Sequence, residues 1–494
     1  MQLPFGEWLP DQPDHLNPGA TVATNVYHAQ SSYKPVKGLV AYSGASNVTQ
    51  NAKGAGSFRD NTNTVFTFVG TKDNIYKLTS GTFASVKGSL TISGGDTDYF
   101  TFTQFGQYVV ASNGVNPPMY YLMGTSSNFA TLQSLVTSSG SGTVPAKFKV
   151  SGVIRDFLVT GNIENAKNRV AWSGINDIST WEAGVSSSDT QDLPGSGGQV
   201  VAITSGEVGY VFREDQIIRL DFVGGNVVFR FSVISPNRGA VYGQTVCQDN
   251  RQVFFYASDG FFQINGDQIL PIGAEKVNRF FDGDLNKAYT DRITAAVDPF
   301  NTLAIWLYPS KDNPNTTGVC DKLLIYNYVT QKWSVAKVKA SQIFKQFVVA
   351  NTVELMDIIS ENLEDINISL DTAFWTTGHL YLGAIDENFK AAIFSGKTLE
   401  AELETKEQEI FPGLRANVTG IRPIVDASAN VTIKTRDKLA DTVTTSASSS
   451  MNDTGINPVR QSGRYFRANV KIPAESIWTN AQGIDLTASQ GGSR

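Results

Sequence analysis

The sequence predicts an all-β fold: a β-propeller of six or seven blades with a C-terminal β-sandwich-like module and an extended N-terminal arm. Three observations carry that prediction. Charged residues make up only 17% of the 494 residues while Gly, Ser, Thr and Asn abound, the balance of a turn-rich β protein. Through the middle of the chain a strand, a polar Gly/Asp/Asn turn and a second strand recur about every 40–60 residues. Beyond residue 397 the texture changes to longer alternating stretches. A chain of this length exceeds what one core serves, and its 41% hydrophobic content is enough for a repeat-built body plus a further module.

The elements follow in order. Residues 1–45 are rich in Pro, Asn and Gly and read as an extended arm, anchored by Phe5, Trp8 and Tyr27. Residues 46–396 carry the repeats: "TVFTFVGTKDNIYKL" (64–78), "QYVVASNGVNPPMYYL" (107–122), "RVAWSGINDISTW" (169–181) and "VGYVFREDQIIRL" (208–220). Then come "VFFYASDGFFQI" (253–264), the longer "LAIWLYPS…DKLLIYNYVTQKW" (303–333) and a weaker "HLYLGAIDENFKAAIF" (379–394). One such sheet cannot bury both its faces, whereas a ring of sheets buries each against the next and leaves few free edges. Within 351–374 the spacing of Leu355, Ile358, Ile359 and Leu363 predicts a short helix capped by Thr352, or an irregular excursion. Residues 397–494 form the C-terminal β module, interrupted by an exposed, mobile loop "ADTVTTSASSSMNDTG".

Several function classes are disfavoured by composition. Two cysteines, Cys247 and Cys320, make neither a disulfide framework nor a zinc site by themselves, and only His15, His28 and His379 are available for His-based chemistry. No basic-then-apolar start marks a signal peptide, and no apolar stretch approaches the roughly 18 residues of a membrane helix. The expectation is a chain made in the cytoplasm. A net charge of −6 disfavours electrostatic capture of nucleic acid, though not contact with DNA that must slide.

The segment "NRVAWSGINDISTWEAG" (168–184) poses the sharpest chemical question, because it approximates the S-x-D-x-G-x-T-W Asp box of sialidase-type propellers. Ser173 lies eight residues before Trp181 instead of seven, Asp177 is displaced and the turn Gly is missing. A glycosidase would also need an arginine cluster, an activated Tyr and an acidic proton donor. The expectation is structural: Trp172 and Trp181 pack between blades while Asp177 and Ser179 satisfy turn amides. "PGSGGQ" (194–199) lacks the Lys-Ser/Thr of a phosphate cradle and reads as a mobile inter-strand loop. Trp306, Trp333 and Trp375 are candidate platforms for sugar rings, should the propeller bind carbohydrate. No catalytic, cofactor-binding or metal-binding residue is assigned, and no cofactor is expected.

Charge is unevenly distributed. From Glu354 to Glu409 there are thirteen Asp/Glu against three Lys, including Glu400, Glu402, Glu404, Glu407 and Glu409. From residue 411 onward ten Lys/Arg face six Asp/Glu, with Arg460, Arg464, Arg467 and Lys471 around Tyr465 and Phe466. The acidic run reads as a solvated face, a wall facing DNA, or a surface docking onto basic residues of a neighbouring subunit. The basic–aromatic strand is a weaker candidate for nucleic-acid binding.

The central block "VIRDFLVTGNIENAKNRVAWSGINDISTWEAG", followed by "DTQDLPGSGGQVVAITSGEVGYVFREDQIIRLDFVGG" and "GAVYGQTVCQDNRQVFFYASDGFFQINGDQILPIG", resembles the tail nozzle, tail hub or packaged-DNA stabilisation proteins of short-tailed bacteriophages. The ends "FGEWLPDQPDHLNPGATVATNVY" and "SGRYFRANVKIP…WTNAQGIDL" resemble the ends of such chains. The resemblance implies a structural virion protein with no catalytic residues. It implies a homo-oligomer, typically a hexamer, in the phage tail below the portal and adaptor, with tail fibre or spike and plug proteins beneath. Its lumen would retain DNA and conduct it at ejection without sequence specificity. An acidic lumen suits that role, since a Lys/Arg-studded conduit would hold phosphates through counterion release.

Overall fold

The computed structural model describes residues 1–15, 17–41, 48–79, 81–225, 227–313, 318–347 and 380–492. The helix expected within 351–374 lies outside the described residues, as do Trp375 and His379.

Among the described residues seven four-stranded antiparallel blades form the propeller, the last two within one larger sheet. Blade 1 consists of Ala55–Arg59, Val65–Gly70, Ile75–Thr79 and Thr82–Ser85, and blade 2 of Thr101–Phe105, Tyr108–Ser112, Met119–Leu122 and Ala130–Thr131. Blade 3 is Phe148–Ile154, Phe157–Ile163, Ala166–Trp172 and Asp189–Asp192, and blade 4 is Val200–Ile203, Val208–Arg213, Ile217–Phe222 and Phe229–Ser235. Blade 5 is Cys247–Asp249, Gln252–Ala257, Gly260–Asn265 and Gln268–Pro271. Blade 6 begins with Thr294–Asp298, Leu303–Tyr308 and Cys320–Asn327 and ends in the first half of the sixteen-residue strand Lys332–Phe347. The second half of that strand, from Ala340, is the innermost strand of blade 7, pairing with Leu380–Asp386. Ala391–Ile393 comes next, and the N-terminal strand Val40–Ala41 completes blade 7. The last blade is thus completed by a strand from the opposite end of the sequence, and Phe344, Ile385 and Ile393 of blade 7 pack with Val69, Tyr76 and Phe83 of blade 1.

Side-chain alternation explains the packing. In Phe157–Ile163 every residue is buried, because both faces of a blade meet neighbouring blades. Tight turns are closed by side chains that mimic the backbone: Asp60 Oδ1 accepts the amides of Thr62 (2.9 Å) and Thr64 (2.8 Å), and Asn327 Oδ1 accepts those of Val329 and Thr330. Hairpin tips that need a left-handed residue use Asn165 (φ 64°), Asn250 (φ 50°) and Gly266 (φ 63°).

The C-terminal module is a sandwich. One sheet runs Val26–Ala29, Ser32–Pro35, Ala481–Gln490, Ala416–Val425, Asn457–Gly463, with Gln2–Pro4 also on Ala481–Gln490. The other runs Val22–Thr24, Ala401–Glu404, Tyr465–Ile472, Asn430–Arg436. Between them lie Val418, Ile421, Val431, Ile433, Phe466, Val470, Ile484 and Leu486, in one cluster with Trp306 and Trp333 of blade 6. Strand Val22–Thr24 pairs with Ala401–Glu404 on one side and, through Thr24 and Val335, with blade 6 on the other. The first forty residues are therefore distributed among three sheets and join propeller to sandwich through continuous hydrogen bonding.

Candidate functional site

The Asp-box-like stretch begins as the third strand of blade 3 and then leaves it. Trp172 pairs with Asp189 of the outer strand, so the predicted hairpin partner, Thr180–Trp181, is not its neighbour. Those two residues instead run parallel to Ser141–Gly142, fastening the connection from blade 2. Trp172 packs between blades 3 and 4 against Phe229, with ring centroids 5.3 Å apart, and its Nε1 donates to Ser187 O. Trp181 packs between blades 2 and 3 with Val136 and Phe148, its Nε1 donating to Ile178 O. Asp177 accepts from the Ser179 amide (2.8 Å), Ser179 Oγ (2.6 Å) and Thr180 Oγ1 (2.6 Å). Burial pushes the Asp177 pKa up, but those donors outweigh it and leave the carboxyl below its ordinary value. The carboxylate is held ionised as a turn brace, with its oxygens engaged by its own loop.

The glycine-rich loop 194–199 has the opposite polarity to a phosphate cradle. Its carbonyls, not its amides, converge, and they converge on Arg213, which is 2% exposed. Arg213 donates to Gly198 O (2.9 Å), Pro194 O (2.8 Å), Gly195 O (3.1 Å) and Gln216 Oε1 (2.7 Å). Gly195 and Gly198 adopt φ of 80° and 79°, and a Cβ on Gly197 would stand 3.1 Å from the guanidinium carbon. The loop is clasped around a buried cation and is not the loose connector its composition suggests.

The acidic run and the basic strand meet inside the chain. Glu404 and Glu407, with side chains 1% and 3% exposed, lie under the strands that carry Lys434, Arg436 and Arg467. Glu404 Oε2 accepts from Lys434 at 2.5 Å and Asn469 at 3.1 Å, and its Oε1 from Thr21 at 2.9 Å. Glu407 takes both Arg436 Nε and Nη2, a fork that raises the pKa of that guanidinium. Arg467 reaches Asp14 at 2.9 Å and both glutamates at 3.7 Å. Lys471 stands 3.8 Å from Glu400 and 3.9 Å from Glu402. Glu404, Glu407, Lys434, Arg436 and Arg467 are thereby engaged within one chain, where the sequence left open whether the acidic run docks onto a neighbouring subunit. Sequence reasoning recognised the complementary signs but not that Asp14 and Thr21 complete the cluster.

Trp306 and Trp333 are both fully buried, stacked at 5.7 Å, and donate to Thr245 O and Ile272 O. They are core residues and offer no face to a sugar. Cys247 and Cys320 are both buried free thiols.

A further concave feature is the propeller axis, a cavity of about 630 Å3 lined by residues from the first strands of all seven blades. Thr101, Thr103, Ser151, Thr204, Gln244 and Gln342 give it a polar wall, Val150, Val201 and Ile343 an apolar one. Lys345 is the only Lys, Arg, Asp or Glu on that wall among the described residues. A space of this size is that of a small-molecule pocket, and no duplex passes along it. Sequence reasoning missed this cavity because its lining is assembled from seven strands far apart in the chain.

No family model matches the chain, and no curated protein matches it. Among solved structures it is similar to the extracellular domain of a one component system of B. thetaiotaomicron, at 10% identity and a TM-score of 0.40, covering 73% of this chain and 40% of that one. It is also similar to the Neurospora crassa Pan2 WD40 domain, at 8% identity and a TM-score of 0.38, covering 75% and 97%. The chain thus spans about two fifths of the bacterial protein. Likeness at this level carries no argument about activity, and the blade assignment rests on strand pairing.

Proposed function

We propose that the chain is a structural subunit of a short-tailed phage tail, forming the nozzle or hub tube that retains packaged DNA and conducts it during ejection. The sequence order of the central block and of both ends supports this reading. The structural observation that supports it most is the fusion of propeller and sandwich through Val22–Thr24, paired to Val335 on one side and to Glu402, Leu403 and Glu404 on the other. A subunit that must hold a pressurised duplex benefits from a body whose two parts share one hydrogen-bonded sheet, without a hinge between them. Because the axial cavity is of small-ligand size, the conduit in this account lies between copies of the subunit, arranged as a closed ring. The acidic balance of −6 favours sliding over retention by phosphate contacts.

Immunolabelling of purified virions tests the proposal: antibody against the chain is expected at the tail. Virions that infect normally and contain none of the chain contradict it. The runner-up, a glycan-binding propeller, loses two of its three proposed platforms with the burial of Trp306 and Trp333.

A further inference from the structure

Among the described residues the axial cavity is lined by one charged side chain, Lys345, and it makes no direct ion pair. Lys345 Nζ donates to the backbone carbonyl of Gln248, and among the described residues no carboxylate lies within ion-pair distance of it. Asp249 acts on it through space from beyond ion-pair distance, its carboxylate turned to the neutral Tyr328 Oη at 2.7 Å. Cys247, on the same wall, is no substitute, because burial pushes its thiol up to about 12 and keeps it neutral. Burial also lowers the Lys345 pKa, the mark of an ammonium short of stabilising partners. Lys345 is half-buried, so the ammonium protons that the single carbonyl leaves free face the cavity, where an anion can take them in place of water.

The surroundings specify what would complete it. Among the described residues the wall itself contains no acidic side chain, Asp249 standing behind it, and with low-dielectric blades around it the field of the cation is focused along the axis. Several polar groups there are already engaged within the fold: Gln248 Nε2 with Ser205 O and Asn250 O, and Thr103 Oγ1 with Ser151. The amides of Gln244 and Gln342 line the same space. A volume of about 630 Å3 is far more than a bare ion fills, and Val150, Val201 and Ile343 provide apolar contact for a carbon skeleton. We propose that the propeller axis binds a small organic anion, a carboxylate or a phosphate ester, with Lys345 as its counter-charge. This site is independent of the tail reading and stands or falls without it.

The test is calorimetric titration of the full chain in low-salt buffer near neutral pH, with glutarate as the carboxylate probe and glycerol 3-phosphate as the phosphate probe. At least one is expected to bind one-to-one, and the arm that gives heat assigns the anionic group. Lys345→Met should weaken that binding about tenfold or more, whereas Lys345→Arg keeps it within about threefold. In buffer free of both probes, Lys345→Met should unfold at a higher temperature than the wild type, since it removes a charge that burial disfavours. Titrating the effective probe should raise the wild-type temperature past that of the variant. Absence of binding by either probe at about 10 mM, a level at which even weak sites fill, overturns the proposal, as does unchanged affinity in Lys345→Met.

Discussion

Replacing Arg213 by Met probes the structure where it departs most from its sequence. The substitution keeps the stem in the core but removes the donors to Pro194 O, Gly195 O, Gly198 O and Gln216 Oε1. A hydrogen bond from a charged donor is worth roughly 1.5–3 kcal/mol, and a buried acceptor left without a donor costs about 1–3 kcal/mol. These figures do not add over four bonds, because the loop relaxes and water enters once the clasp is gone. The expected loss is about 3–5 kcal/mol, as for removal of one partner from a buried charged network. Arg213→Lys keeps the charge but cannot span the three carbonyls, and should fall about 2 kcal/mol short of the wild type. Urea denaturation gives the loss as a shift in midpoint at constant slope. Hydrogen exchange localises it: the amides of Glu214 and Asp215, which donate to Gln199 O and Gly197 O, should lose protection first. If Arg213→Met stays within about 1 kcal/mol of the wild type with both amides still protected, the loop is held by something else and the reasoning fails.

Other consequences follow from the same geometry. Trp172→Ala or Trp181→Ala should each cost about 3–5 kcal/mol, since each fills a different inter-blade seam; an unaltered unfolding transition would refute their core role. Asp177→Ala should cost about 1–2 kcal/mol by leaving the Ser179 amide and two hydroxyls without their acceptor, and loss of a binding activity at unchanged stability would point to a site instead. His28, 3% exposed, has its pKa lowered by burial and by Lys332 to about 4. A depressed folded pKa means that the unfolded chain binds the proton first. The stability His28 contributes is therefore full above about pH 6.5 and lost as pH falls towards about 4, with a ceiling near 3 kcal/mol. His28→Asn should flatten that slope, and a slope identical in the two proteins would assign it elsewhere.

Much of the fold was legible because blades advertise themselves locally. "VFFYASDGFFQI" contains two strands and their turn in twelve residues, and both strands appear, as Gln252–Ala257 and Gly260–Asn265. Blade 7 was not legible to the same degree. Its inner strand continues from blade 6 with no turn signal, and its outer strand is Val40–Ala41, a two-residue segment from the other end of the chain. The strands of the first forty residues are three or four residues long and gain their order from distant partners, so local alternation could not reveal them. The Trp-containing turn illustrates a subtler limit: the burial of Trp172 and Trp181 was readable, but the parallel pairing of Thr180–Trp181 with Ser141–Gly142 was not. Charge told half a story in the same way. The signs of Glu404, Glu407, Arg436 and Arg467 were complementary on inspection, and only the sandwich shows that they meet within one chain.

The central claim is that copies of this rigid body assemble around a conduit for DNA. Electron microscopy of the purified chain, imaged with and without its tail adaptor, addresses it directly. The account predicts closed rings, sixfold in projection, with a central opening wide enough for a duplex and seven-bladed discs arranged around it. Isolated two-lobed particles at every concentration, unchanged when adaptor is added, would contradict it.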